Sequence, residues 1–157
     1  MMKNASIFAI VLLFLAVQTA FAQGKPAWIS DVETAIKQKE PTLKIGAHLA
    51  DENPSSYSQS FKLHRGGSTG GVEITIYKIL SNPEETFDGL ATVNDNLIRT
   101  KRIKLAGIGD EAYVWTGNNA DDYATVFFKK GKTFVTVFLP GKALAQRVAK
   151  LVASHIP

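Results

Sequence analysis

The hairpin predicted over residues 123–139 constrains the fold most, because both faces of its strands are apolar. Two strand-like runs flank Lys130-Gly131, a sequence typical of a tight turn. Pairing Lys129 with Lys132 divides the side chains between two faces. One face carries Ala124, Val126, Phe128, Val135 and Val137, and the other carries Tyr123, Thr125, Phe127, Phe134, Thr136 and Phe138. A sheet with two such faces needs cover on both sides.

The aromatic face of this hairpin is the best candidate for a functional site. Either a helix or the N-terminal segment that includes Trp28 covers this face as part of the core, or the face is open. If it is open, it forms an aromatic groove or a self-association surface, because large exposed apolar patches usually bind something. A neighbouring strand extends the aromatic surface by two side chains. The candidate ligand or interface residues are Tyr113, Trp115, Tyr123, Phe127, Phe134 and Phe138.

The spacing of apolar residues along the chain predicts three helices and about six strands. Helices are predicted over 26–39, 82–100 and 142–155, and strands over 43–50, 57–65, 72–80, 111–116, 123–129 and 132–139. The order α-βββ-α-βββ-α with short links favours an α+β fold, an antiparallel sheet with helices packed on it. The strand-strand-strand-helix order occurs twice, which raises the hypothesis of two β-β-β-α halves.

The middle helix has a strong start signal and one predicted apolar face. Asn82 is suited to the capping position, and Pro83 to the first helical position. Residues at helical spacing then define the face expected to pack on the sheet. They are Phe87, Leu90, Ala91, Asn94, Leu97 and Ile98.

The strands over 57–65 and 72–80 predict a half-exposed antiparallel pair. Glycines dominate residues 66–71 between them, so we expect a flexible hairpin tip there. Pairing Arg65 with Val72 across this tip leaves one apolar face for the core. The same pairing places His64 opposite Glu73 on the exposed face.

The first 22 residues have the three parts of a secretory signal peptide. Lys3 supplies a positive charge, residues 7–17 are apolar, and the sequence ending at Ala22 suits cleavage. A membrane span needs roughly 20 apolar residues, so we expect no transmembrane anchor after cleavage. Residues 23–157 would then form a single α+β domain.

The absence of cysteine narrows both the chemistry and the compartment. It excludes disulfides, thiolate metal sites and cysteine nucleophiles. An exported domain without disulfides fits a bacterial periplasm or cell exterior better than a small disulfide-rich secreted scaffold. The net charge of +4 is modest and the basic residues are dispersed, so nucleic acid is not an expected partner.

The sequence predicts neither a cofactor nor a metal. His48 and His64 lack the ligand spacing of a recognisable metal site. The glycines of 66–71 lack the Lys-Ser/Thr pair of a phosphate-binding loop, and a strand follows them instead of a helix. The sequence also predicts no G-x-S-x-G nucleophile elbow, because such an elbow leads from a strand into a helix and residues 66–71 are followed by a strand.

The segment Gly107-Ile108-Gly109-Asp110-Glu111-Ala112-Tyr113 enters a strand through a glycine-rich turn. It resembles a motif of small exported bacterial α+β proteins of unknown function, in which a hairpin and a final helix follow such a turn. The resemblance covers about residues 108–156 and implies export and fold, without an activity. Physically, Gly107 and Gly109 permit positive φ, and Asp110 can accept hydrogen bonds from nearby backbone amides. We therefore expect a structural turn formed by Gly107, Gly109, Asp110 and Glu111.

Together these patterns favour an exported, non-enzymatic domain. It is expected to bind a small apolar ligand or a protein partner, or to form a homo-oligomer, through the aromatic sheet face. The alternative is a small periplasmic hydrolase that uses Asp110 or Glu111 near the Gly107–Gly109 loop. Acid–base catalysis by a carboxyl pair needs two carboxyl groups with separated pKa values that act on the same substrate. Asp110 and Glu111 are adjacent on a strand, so their side chains should point to opposite faces and should not cooperate directly.

Overall fold

A computed structural model describes residues 25–98, 100–117 and 122–157. Within these residues the chain forms three helices and seven strands. They are α1 (Ala27–Lys39), β1 (Lys44–Glu52), β2 (Ser56–Arg65), β3 (Ser68–Tyr77), α2 (Pro83–Ile98), β4 (Ile103–Leu105), β5 (Glu111–Thr116), β6 (Tyr123–Lys130), β7 (Thr133–Pro140) and α3 (Lys142–His155). The predicted signal peptide, residues 1–22, lies outside the described residues. Among the helices described, none has the length and apolar character needed to span a membrane.

One antiparallel sheet contains all seven strands, in the order β1-β2-β3-β7-β6-β5-β4. This confirms the predicted α+β class, the antiparallel sheet and the three helices. The strand count of about six omitted β4 at the sheet edge. With only three residues, Ile103-Lys104-Leu105, β4 is too short for its alternation to be recognised.

The β2–β3 hairpin is tighter than predicted. Arg65 pairs with Ser68 instead of Val72, so the turn consists of Gly66 and Gly67, and the remaining glycines of 66–71 belong to β3. His64 consequently lies opposite Thr69, and the predicted His64–Glu73 pairing is wrong. The shift moves the pairing by an even number of residues, so the buried and exposed faces are still those predicted.

The β6–β7 hairpin shows the same kind of shift. Lys130 pairs with Thr133, so the turn is Gly131-Lys132, and the predicted pairing of Lys129 with Lys132 is wrong. Gly131 has a φ of 57°, which suits the left-handed conformation of a two-residue hairpin turn. The division into an aliphatic and an aromatic face is confirmed, because this shift also preserves side-chain parity.

The first face of the sheet is covered by two helices and holds the larger core. Helices α1 and α3 pack on it with apolar stripes that include Ile29, Val32, Val148 and Val152. The strands contribute the aliphatic set predicted from the β6–β7 hairpin, together with residues of β2 and β3. Trp28 also packs against this core, so it lies on the face opposite the aromatic cluster.

Within the part of the chain that the structure describes, the second face is covered over only part of its width. Helix α2 buries Phe87 and Ala91 against a smaller cluster that contains Trp115, Phe127 and Phe134. These side chains belong to β5, β6 and β7, in the half of the sheet that ends at β4. The fold therefore has one closed face and one face that α2 covers at one end.

Candidate functional site

The structure separates the six candidate aromatic residues into a buried group of three, an exposed pair, and Tyr113, which is half-buried. Trp115, Phe127 and Phe134 are buried beneath α2. The ring of Phe87 stacks on Phe127 with centroids 4.6 Å apart and meets the edge of Phe134 at 5.6 Å. Trp115, Phe127 and Phe134 therefore belong to a packed core with Phe87. Stacked and edge-on rings at such distances are the favoured aromatic contacts.

Tyr113 lies at the margin of this aromatic cluster and is held by polar contacts. Its hydroxyl donates a hydrogen bond to the Glu111 carboxylate at 2.9 Å, and the guanidinium of Arg102 lies 4.7 Å from the centre of its ring. Burial and the hydrogen bond to Glu111 raise the pKa of Tyr113. The indole of Trp115 donates to Asp95 of α2 at 2.8 Å. These contacts fix the orientation of both side chains and fasten α2 to β5.

Tyr123 and Phe138 form the exposed pair. Their rings stack with centroids 4.6 Å apart, and 37% of Tyr123 and 44% of Phe138 remain accessible to solvent. Phe138 lies opposite Gly71 of β3, on the part of the second face that α2 leaves open. This pair retains the exposure that a binding surface requires.

A groove extends from Phe138 across the open part of the second face towards β1. This sheet-face groove has a volume of about 490 Å³. Leu49 of β1 stands at its far side with 70% of its surface exposed, while Gly71 of β3 contributes no side chain to the floor. The groove lining includes Leu49, Ser60, Lys62, Gly71, Glu73, Thr136 and Phe138.

A smaller cavity of about 220 Å³ adjoins the groove beside α2. Glu73 and Thr136 line both spaces, and Leu90 and Val93 of α2 form a wall of the smaller one. The predicted single apolar face of α2 is therefore wrong in part, because Leu90 and Leu97 are exposed instead of packed on the sheet. The exposed side of α2 is an apolar border to the groove.

The groove has one positive and one negative side chain on its lining. Lys62 and Glu73 are both exposed, and among the residues that the structure describes neither belongs to an ion pair. Lys62 lies opposite Gly71, whereas Glu73 lies opposite Ser60. Both charges are available to a ligand.

The glycine turn before β5 is held by hydrogen bonds to the end of β6 and the β6–β7 turn. Gly107 and Gly109 have φ values of 73° and 58°, and a Cβ at Gly109 would collide with the carbonyl oxygen of Lys129. The Asp110 amide donates to that same carbonyl at 2.8 Å, and the Asp110 carboxylate accepts from the Gly131 amide at 2.7 Å. The Asp110 carboxylate therefore bonds to an amide of the β6–β7 hairpin turn, whereas the sequence predicted a bond to an amide of its own turn.

Glu111 is engaged in a different set of contacts. Its carboxylate accepts hydrogen bonds from Lys104 at 2.8 Å and Tyr113 at 2.9 Å, which lower the pKa of Glu111. The ammonium of Lys129 lies 3.6 Å away and also pairs with Glu84 at the start of α2. Burial lowers the pKa of Lys129. These contacts connect β4, β5, β6 and α2.

The hydrolase alternative gains no support from this geometry. Asp110 is bonded to a backbone amide and Glu111 to Lys104 and Tyr113, and neither carboxylate lines the groove or the smaller cavity. Among residues 25–98, 100–117 and 122–157, no group of three His, Asp or Glu side chains is placed to hold a metal ion.

The sheet-face groove was not predicted as a unit. The alternation along β2 and β3 predicted a solvent-exposed face, but it did not indicate that this face is concave. Leu49 gives one signal, because it is a large apolar side chain that is exposed on β1, on the same face as Ser60. Comparisons with known protein families, curated proteins and solved structures found no match to this chain, so the resemblance of the 107–113 turn stays a prediction.

Proposed function

We propose that this protein is an exported, non-enzymatic binding domain that holds a small apolar ligand in the sheet-face groove. The observation that carries the proposal is the concave, uncovered half of the second sheet face, which is bordered by exposed apolar side chains. Phe138 and Leu49 stand at its sides, and the apolar border of α2 continues it. The prediction of export rests on the N-terminal sequence alone.

The dimensions and chemistry of the groove support a ligand of this class. A volume of about 490 Å³ lies within the range of roughly 300–1,000 Å³ that is usual for small-molecule sites. Covering a large apolar side chain that is otherwise exposed gains about 1.5–3 kcal/mol when burial is complete. Hydroxyl groups such as those of Ser60 and Thr136 provide the few polar contacts that orient an apolar ligand.

Binding of an uncharged, environment-sensitive apolar dye tests the proposal. In the Phe138→Ser variant the aromatic wall is lost, so we expect dye affinity to fall about tenfold, which corresponds to about 1.4 kcal/mol. The matched control is Ile103→Ser, which replaces another exposed apolar residue on β4, at the opposite sheet edge. The control should bind the dye as the wild type does. Circular dichroism verifies that both variants are folded.

Two outcomes of this experiment contradict the proposal. If Phe138→Ser binds the dye with wild-type affinity while folded, the groove is not the apolar site. If the wild type binds no dye but is a dimer that Phe138→Ser converts to a monomer, the exposed pair is instead a self-association surface. Phe127 and Phe134 are unsuitable for this test, because serine at either position would disrupt the core beneath α2.

A further inference from the structure

We infer that the ligand of the sheet-face groove is a single-chain anionic amphiphile, whose head lies at Lys62 and whose tail extends beside α2. This inference rests on the proposed function and specifies the chemical class of its ligand. Its basis is a charge asymmetry along the groove, together with the adjacency of the two cavities.

The β1–β2 end of the groove is basic. Lys62 lines it directly, and His64 is two residues further along β2, on the same face of the sheet. Lys44 lies opposite His64 in the β1–β2 ladder, so its side chain belongs to this face as well. His64 contacts Thr69 at 3.1 Å, and in the described part of the chain Lys44 and Lys62 have no ion-pair partner. An anionic head group would supply the missing counter-charge.

The opposite end of the path combines apolar and polar side chains. The smaller cavity shares Glu73 and Thr136 with the groove, and its α2 wall consists of Leu90, Val93 and Asn94. Phe138 lines the groove itself. A linear hydrocarbon chain can reach from one of these adjoining spaces into the other, whereas a compact ligand fills only one of them.

Glu73 determines the direction of the chain. Its carboxylate stands where the two cavities join, so it repels an anionic head placed at the apolar end and leaves the Lys62 end as the favourable position. An uncharged tail passes Glu73 without this repulsion. The inference therefore predicts opposite effects on affinity when each of the two charges is neutralised.

The test compares a fluorescent polyene fatty acid with its uncharged methyl ester, which has the same chain. We expect wild-type protein to bind the acid about fivefold more tightly than the ester, a factor consistent with an exposed ion pair. Lys62→Gln should abolish this preference by weakening binding of the acid alone. Glu73→Gln should strengthen binding of the acid about twofold and leave the ester unchanged. Lys150→Gln, an exposed lysine on α3, is the matched control.

The outcomes separate this inference from the proposed function. Equal affinity of wild type for acid and ester, or equal weakening of both by Lys62→Gln, overturns the anionic head while leaving an apolar site. Failure of wild type to bind either probe overturns the proposed function itself. A final experiment measures cosedimentation of the protein with phosphatidylglycerol vesicles. Lys62-dependent binding to vesicles without binding of the dissolved acid would assign the basic end to a membrane surface and overturn the inference.

Discussion

Asp110 and Glu111 are adjacent in sequence but stabilise different connections in the fold. Asp110 accepts the amide hydrogen of Gly131, which joins the turn before β5 to the β6–β7 hairpin. Glu111 accepts from Lys104 and Tyr113, which connects β4 to β5. The sequence predicted a structural turn here, but the partner Gly131 could not be predicted, because it depends on the register of three strands.

The contacts of Glu111 predict a specific loss of stability in acid. Its pKa in the folded protein lies below the ordinary 4.5, so its stabilising contribution is complete above about pH 4.5 and is lost as pH falls through the folded-state pKa. Glu111→Gln should therefore lower the free energy of unfolding at neutral pH more than at about pH 3. Urea denaturation of both proteins at the two pH values measures this difference.

A neighbouring variant provides the control for this prediction. Lys104→Gln removes one donor to Glu111 and leaves the Tyr113 hydrogen bond, so it should reduce the pH dependence without eliminating it. An equal loss of stability for Glu111→Gln at neutral and acid pH would show that the ionised carboxylate has no stabilising role.

Helix α2 is apolar on two sides, and only one of them packs against the sheet. Phe87 and Ala91 are buried, whereas Leu90, Val93 and Leu97 are exposed, and Leu90 and Val93 line the smaller cavity beside the groove. The sequence predicted the helix and its start at Asn82-Pro83, but it merged both apolar sides into one face. The distinction depends on how far α2 extends across the sheet, which no local spacing encodes.

The anchoring of α2 by Phe87 predicts a large difference between two apolar truncations. Phe87→Ala leaves a cavity against Phe127 and Phe134 and should cost about 3–5 kcal/mol of unfolding free energy. Leu97→Ala, at a position that is 73% exposed, should change it by less than about 0.5 kcal/mol. Urea denaturation compares the two, and hydrogen exchange of α2 amides should accelerate in Phe87→Ala. Equal effects of both substitutions would contradict the assigned packing.

The strands were predicted better than their pairings. Alternation identified six of the seven strands and assigned the faces of both hairpins, because an error of two or four residues preserves side-chain parity. The tight turns at Gly66-Gly67 and Gly131-Lys132 were each displaced in the prediction. Turn position depends on how many of the glycines belong to the strand. Gly70 is part of β3, and this position requires glycine because a Cβ there would collide with the carbonyl oxygen of Phe138.

The whole molecule has one closed and one half-open sheet face. The two-sided apolar hairpin over 123–139 indicated that both faces needed cover, and this requirement accounts for α2 on the second side. The hairpin sequence did not indicate that α2 would leave the sheet face uncovered beside Phe138. The groove combines residues from β1, β2, β3 and β7 with a border from α2, so no contiguous motif marks it.

Backbone NMR during titration with the uncharged apolar dye is the most direct test of this groove as the binding site. We expect the amide shifts to concentrate at lining residues, with those of Ser60, Gly71 and Thr136 among the largest. The amides of α1 and α3, which cover the other face, should change little. Shifts confined to α1 and α3, or to the turn at residues 107–111, would contradict the central claim.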